Sequence, residues 1–380
     1  MSRLLGSAAA LALTLGMIGS TASARPIPLT DAQLGAVAAG TGFEVTNRIA
    51  DQSGVAPLTD PLLQNAWGLS QGPGTFLWVA NNGTDTTTFY TPDTFQPNNL
   101  LGMGNSLVVS VPGAPTGTTF IGSGFTLSNG VQSGPTLFAF DTEGGQIEGW
   151  NPNVNLTNAV TKVDESSMGS IFKGLTLGTN TAGQTFLYAA DFGNGVVKMY
   201  DTNYHFQGSF TDPNLPEGYK PFNVQNLNGM IYVTFAKSSG GVDEVDGQGL
   251  GVVDVFSGDG VLVRRVAQHG QLNAPWGLAI APASFGKFAG ALLVGNFGDG
   301  TINAYDPITG HFLGTLRGPG DKPLFIDGLW ALRTGANGTI TFSSGPDGET
   351  HGLVGSIAAG GPMAFGADEV ASFTEMHHAH

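Results

Sequence analysis

One short pattern, an apolar segment centred on Gly-Leu, returns along almost the whole chain and restricts its fold more than any other feature. It reads NAWGL at Gly68, FKGL at Gly174, PFNV with Asn223 in the glycine position, APWGL at Gly277 and IDGLWAL at Gly328. The separations are 106, 49, 54 and 51 residues. The first interval equals two units of 53, which predicts a further copy near residue 121, within FIGSGFTL. Six units of one period are the signature of an array in which each unit stacks on its neighbours.

Each unit continues with a second apolar run that ends in a polar, Gly-rich turn. These runs are FLWVANNG from Phe76, TLFAFDTEGG from Thr136, TFLYAADFGNG from Thr185, MIYVTFA from Met230, ALLVGNFGDG from Ala291 and TITFSSGPDG from Thr339. A third run follows the turn in several units, as in VVKMYD from Val196, VVDVF from Val252 and TINAYDP from Thr301. Short runs rich in Val, Phe, Tyr and Ile, separated by Asn-Gly or Asp-Gly, are consecutive antiparallel strands. Three or four strands per unit, repeated six times, predict an all-β fold, a six-bladed β-propeller. Two separate β-sandwiches are the alternative, but they would need no common period.

The strand FEVTNRI, from Phe43 to Ile49, has no unit of its own, and the last unit ends in GLVGSIA, from Gly352 to Ala358. The N-terminal strand is therefore expected to become the outer strand of the final blade and close the ring, which removes exposed edges. Residues 43–358 would form the propeller, with an N-terminal arm at 25–42 and a C-terminal tail at 359–380. Ahead of the arm, Arg3, the apolar run from Leu4 to Ile18 and Ala22-Ser23-Ala24 read as a signal peptide over residues 1–24. A membrane anchor is the competing reading, but the run is shorter than the roughly 20 residues that span a bilayer. A secreted protein, periplasmic or extracellular, with no integral membrane segment after cleavage is the expectation.

Composition narrows the functional classes. With 59 Gly and 21 Pro among 380 residues, a mainly helical chain is excluded, while 41% hydrophobic residues suffice for a large core. The net charge is −15 and the 14 basic residues are scattered, which argues against nucleic acid as a partner. Without a single Cys, no disulfide, thiol nucleophile or cysteine-ligated metal can exist.

The stretches NAWGL, GWNP, FKGLTLG, SFTDPNLPEGYKPFNVQNLNG, APWGLAIAPASFGKFAGALLVGNFGDGTINAYDPITG and IDGLWAL resemble an uncharacterised bacterial family of secreted six-bladed propellers, some with a PEP-CTERM sorting signal. The resemblance covers residues 43–358 and implies the fold and export, not an activity. The terminal SFTEMHHAH departs from the anchored members, having no Pro-Glu-Pro motif, apolar helix or basic cluster.

In such a ring the first strand of each blade lines the central channel and starts on the face where the second strand ends. One entrance would then gather Asn65, Trp67, Lys173, Asn223, Trp276 and Asp327 with Asn81, Asn82, Glu143, Asp191, Asn194, Asn296, Asp299 and Asp347. Asn223, Asp327, Asn296 and Asp191 form a candidate oxygen-ligand set for calcium or another divalent cation. Six-bladed lactonases place a metal at the channel mouth, an analogy of architecture only. Asp327, Asn223, Lys173 and Asp191 are the candidate catalytic residues, with Lys173 as anchor, base or structural counter-ion. Trp67, Trp276, Asn82 and Asn296 are the candidate ligand contacts, the tryptophans for stacking on a sugar or for packing blades together.

Two readings follow. The first is a secreted recognition scaffold that binds a small molecule, glycan or surface protein through the channel mouth and rim loops. The alternative is a metal-dependent lactone or ester hydrolase at the same mouth. No H-E-x-x-H, Walker loop or strand-linked G-x-G-x-x-G is present. The acidic loop Asp243, Glu244, Asp246 matches the calcium-loop order only loosely, and His377, His378 and His380 could meet a transition metal at the tail.

Overall fold

In the computed structural model, residues 42–360 are described; the signal peptide, most of the arm and nearly all of the tail expected from the sequence lie outside them. Six small antiparallel sheets are wound into a six-bladed β-propeller. Blade 1 runs from an inner strand Ala66–Ser70 through Leu77–Asn81 and Thr86–Tyr90 to an outer Val109–Ser110. The inner strands of blades 2 to 6 are Pro115–Phe120, Phe172–Thr179, Tyr219–Leu227, Pro275–Ile280 and Leu329–Thr334. The second strands, Phe138–Thr142, Thr185–Asp191, Met230–Ser238, Leu292–Asn296 and Ile340–Ser344, pair antiparallel with them.

Closure follows the expectation. Phe43–Ala50 pairs antiparallel with Leu353–Ala359, from Phe43 opposite Ala359 to Ala50 opposite Leu353. It is the fourth strand of blade 6, and the two-residue Leu58–Thr59 adds in parallel outside it. Ends that are far apart in sequence thus share one sheet, and no open seam remains between the first and last blades.

The strands read as continuous apolar runs because both faces of each sheet are covered by neighbouring blades. All five residues of Leu77–Asn81 and of Leu292–Asn296 are buried. Apolar clusters fill the spaces between blades: Trp78, Phe89, Phe138 and Phe140 between blades 1 and 2, and Tyr188, Val197, Val224 and Val233 between blades 3 and 4. With no disulfide, this burial and the sheet hydrogen bonds carry the stability.

The repeat has a geometric cause. Every inner strand breaks register with its neighbour near its start, as between Ala66 and Leu69, Phe172 and Leu175, Pro221 and Asn223, Pro275 and Gly277, and Leu329 and Leu332. A bulge re-aims a side chain, and just after it successive inner strands crowd together. A Cβ on Gly117 would stand 2.2 Å from the Leu175 nitrogen, and one on Gly68 would stand 2.5 Å from the Thr116 carbonyl.

Two of the sequence anchors need correction. The inner strand of blade 2 is Pro115–Phe120 with Gly117 in the repeat position, and FIGSGFTL leads instead into a separate hairpin of Thr126–Ser128 and Ser133–Pro135. In blade 6 the position equivalent to Gly68 is Ala331, not Gly328, since a Cβ on Gly277 would point between Trp330 and Leu332. Asp327 and Gly328 precede that strand.

Candidate functional site

The bulges turn the residue before each repeat position toward the axis. Trp67, Phe222, Trp276 and Trp330 from four inner strands meet there, joined by Phe192 and Phe297 from second-strand turns. Trp67 stacks on Trp330 with ring centroids 3.5 Å apart, and Phe297 stacks on the same indole at 4.0 Å. Trp276 meets both tryptophans edge-on at 6.0 Å. This aromatic plug divides the channel into a polar rim and a cavity.

On the rim side, hydrogen bonds run from blade to blade. Trp330 Nε1 donates to Asn65 Oδ1 at 3.0 Å, and Asn65 Nδ2 donates to Glu349 Oε2 at 2.7 Å and to Asn82 Oδ1 at 3.1 Å. Asn82 Nδ2 reaches Glu143 Oε2 at 3.0 Å, and Lys173 Nζ pairs with Glu143 Oε1 at 2.5 Å. Lys173 is only 2% exposed, with its ammonium 5.0 Å from the Trp67 ring centroid and its carbonyl accepting from Trp276 Nε1 at 2.9 Å. Burial raises the Glu349 carboxyl above its ordinary range against the pull of Asn65 and Lys173. Burial likewise lifts Glu244 to about 7, with Lys173 opposing.

The expected metal ligands do not join this network. Asn223 spans two inner strands, donating to the Trp276 carbonyl at 2.8 Å and accepting from the Val224 N–H at 2.7 Å. Asp191 accepts from the Ile171 and Asn194 N–H groups and pairs with Lys198 at 2.8 Å. Asn296 braces the blade 5 turn through the Gln271 carbonyl, Asp299 and Thr301. Asp327 accepts from the Asp347 N–H at 2.8 Å on the surface. Among the described residues no group of three or more His, Asp or Glu side chains is placed to hold a metal ion. Of the expected ligand contacts, Trp67 is sealed in the plug and Asn82 is committed to the rim network. Lys173 and Asn82 are thus brought together, by way of Glu143, while Asp327, Asp191 and Asn296 are held apart by their own turns.

The cavity lies beyond the plug, toward the C-terminal ends of the inner strands. It measures about 450 Å³ and takes residues from every blade. Ser70, Gln71, Thr118, Thr119, Thr176, Gln225 and Asn226 supply uncharged polar groups, while Phe120, Leu175, Leu177 and Trp276 supply apolar faces. Arg333 is the single ionisable residue of the lining. Thr118 Oγ1 is buried and has no hydrogen-bond partner. These residues escape a search for acids and metals, since they are uncharged and lie on strands that read as plain wall.

No family model matches the chain. An uncharacterised protein of Acanthamoeba polyphaga mimivirus is 34% identical over 333 residues, covering 83% of this chain and 80% of the viral one. The chain belongs to the family of that viral protein. A second uncharacterised mimivirus member is 34% identical over 330 residues, covering 83% of this chain and 85% of its own. These relatives overturn the bacterial family expected from the sequence stretches, while the six-bladed fold stands. A solved structure described as streptogramin B lyase superposes with a TM-score of 0.51 at 11% identity, covering 84% of this chain and 98% of its own. At that identity the likeness of this chain to the lyase is one of fold.

Proposed function

We propose that the protein is an exported binding propeller that holds a small neutral saccharide in the cavity behind the aromatic plug. The lining carries this reading. Uncharged hydroxyl and amide groups from several blades share the lining with Trp276 and Phe120, the combination that meets a sugar's hydroxyls and its apolar ring face. The lining holds no carboxylate and no histidine, so it offers no pair of groups for general acid–base chemistry. The hydrolase reading loses its support because its four expected ligands sit in separate networks. Export rests on the apolar run from Leu4 to Ile18 and on Ala22-Ser23-Ala24.

The test is a titration of tryptophan fluorescence with a panel of neutral mono- and disaccharides. At least one member should give a saturable change. Thr118→Val and Gln225→Ala should each weaken it by about tenfold, the loss of one to two hydrogen bonds. No saturation with any saccharide, or unchanged affinity in both variants, would remove the proposal.

A further inference from the structure

Between blades 6 and 1 lies a second cavity, of about 170 Å³, that meets the channel cavity at Gln71 and Arg333. An apolar cluster of Ile49, Val354, Leu77, Val79 and Tyr90 fills part of this interface, and beside it blade 6 presents a polar row. Arg333 of the inner strand lies opposite Thr341, and Thr341 lies opposite Ser356. The row ends at Arg48 on the ring-closing strand. Register between that strand and Leu353–Ala359 shifts between Asn47 and Ile49, which makes Arg48 the extra, bulged residue and re-aims its side chain. Its Nε donates to Ser356 Oγ at 3.0 Å and its guanidinium stands 5.5 Å from the Phe95 ring centroid, a contact that steadies it.

The two guanidinium groups have donors to spare. Arg265 is paired with Asp254 and Asp212, and Arg317 with Asp321, whereas neither Arg48 nor Arg333 forms an ion pair with a described carboxylate. Arg333 Nη1 holds only the Thr334 carbonyl, at 3.1 Å. An arginine carries five N–H donors in a planar fork matched to carboxylate and phosphate oxygens. Asp93 lines the same cavity, and its charge acts on Arg333. In a chain of net charge −15, two arginines facing one cavity with a single carboxylate make a local positive site.

We propose that this seam pocket binds an oxyanion, the carboxylate or phosphate of a small ligand, between Arg48 and Arg333. The bound anion ties the closing strand to the inner strand of blade 6, so occupancy strengthens ring closure. The pocket stands apart from the saccharide reading, because Arg48 does not line the channel cavity.

Calorimetric titration of the full chain with inorganic phosphate and, separately, with acetate at constant ionic strength tests this. Saturable binding of either anion is expected, with a rise in melting temperature. Phosphate alone, acetate alone or both identifies the group recognised. Arg48→Gln should weaken binding by about tenfold or more, since it removes charge-assisted hydrogen bonds. Asp93→Asn should tighten binding by about threefold by removing the competing charge, a gain that misfolding cannot imitate. Absence of saturation by either anion up to roughly 50 mM overturns the proposal, as does unchanged affinity in both variants.

Discussion

Asp141 gives the sharpest test of how the inner strands are held. It is fully buried between blades 2 and 3, where Oδ1 accepts from the Gly117 N–H at 2.7 Å and the Thr116 hydroxyl at 2.9 Å, while Oδ2 has no partner. Burial raises its pKa from 3.8 to about 7, against the pull of those hydrogen bonds. The folded-state value exceeds the unfolded one, so the folded chain keeps a proton that the unfolded chain releases. The resulting stabilisation is complete below about pH 4 and is lost as pH climbs through about 7. A shift of about three units corresponds to roughly 4 kcal/mol across that window. Asp141→Asn keeps an acceptor oxygen and cannot ionise. Urea unfolding at pH 4.5, 6 and 8 should therefore show the variant gaining on the parent protein by about 3 kcal/mol between the lowest and the highest pH. Parallel stability curves at the three pH values would refute the assignment of a protonated carboxyl to this position.

Trp330→Ala should lower stability by about 4 kcal/mol in chemical denaturation, because a buried indole and its stacking on Trp67 and Phe297 are lost; an effect under about 1 kcal/mol would contradict the plug. Lys173→Met should cost about 3 kcal/mol by stranding Glu143. The double variant Lys173→Met, Glu143→Gln should recover most of that loss, so an additive double-mutant cycle would show that the ion pair does not hold the rim.

The fold was legible because the bulge and the crowding behind it demand a small residue at the same place in most blades. Legibility failed where other residues met that demand. Thr116-Gly117-Thr118 has no Leu after its glycine, so the blade 2 anchor was missed and a hairpin segment took its place. In IDGLWAL the triplet Asp-Gly-Leu imitates the motif three residues early, which hid Ala331 and, with it, Trp330. The turns rich in Asn and Asp promised ligands, but Asp191 accepts from the Ile171 and Asn194 N–H groups, and Asn296 accepts from the Asn273 N–H and donates to the Gln271 carbonyl and Asp299. Glu349 reaches the rim from an irregular turn with no periodic signal. Arg48 could not be singled out, because its bulge depends on a register set with a strand some 300 positions away.

The proposed saccharide binds in the cavity behind the plug and not among the rim carboxylates. Hydrogen–deuterium exchange with and without a saturating neutral saccharide tests it directly. Slowed exchange concentrated in segments 117–120, 175–177 and 223–226, with the turns around Glu143 and Glu349 unaffected, is the predicted result. Protection confined to those rim turns would contradict it.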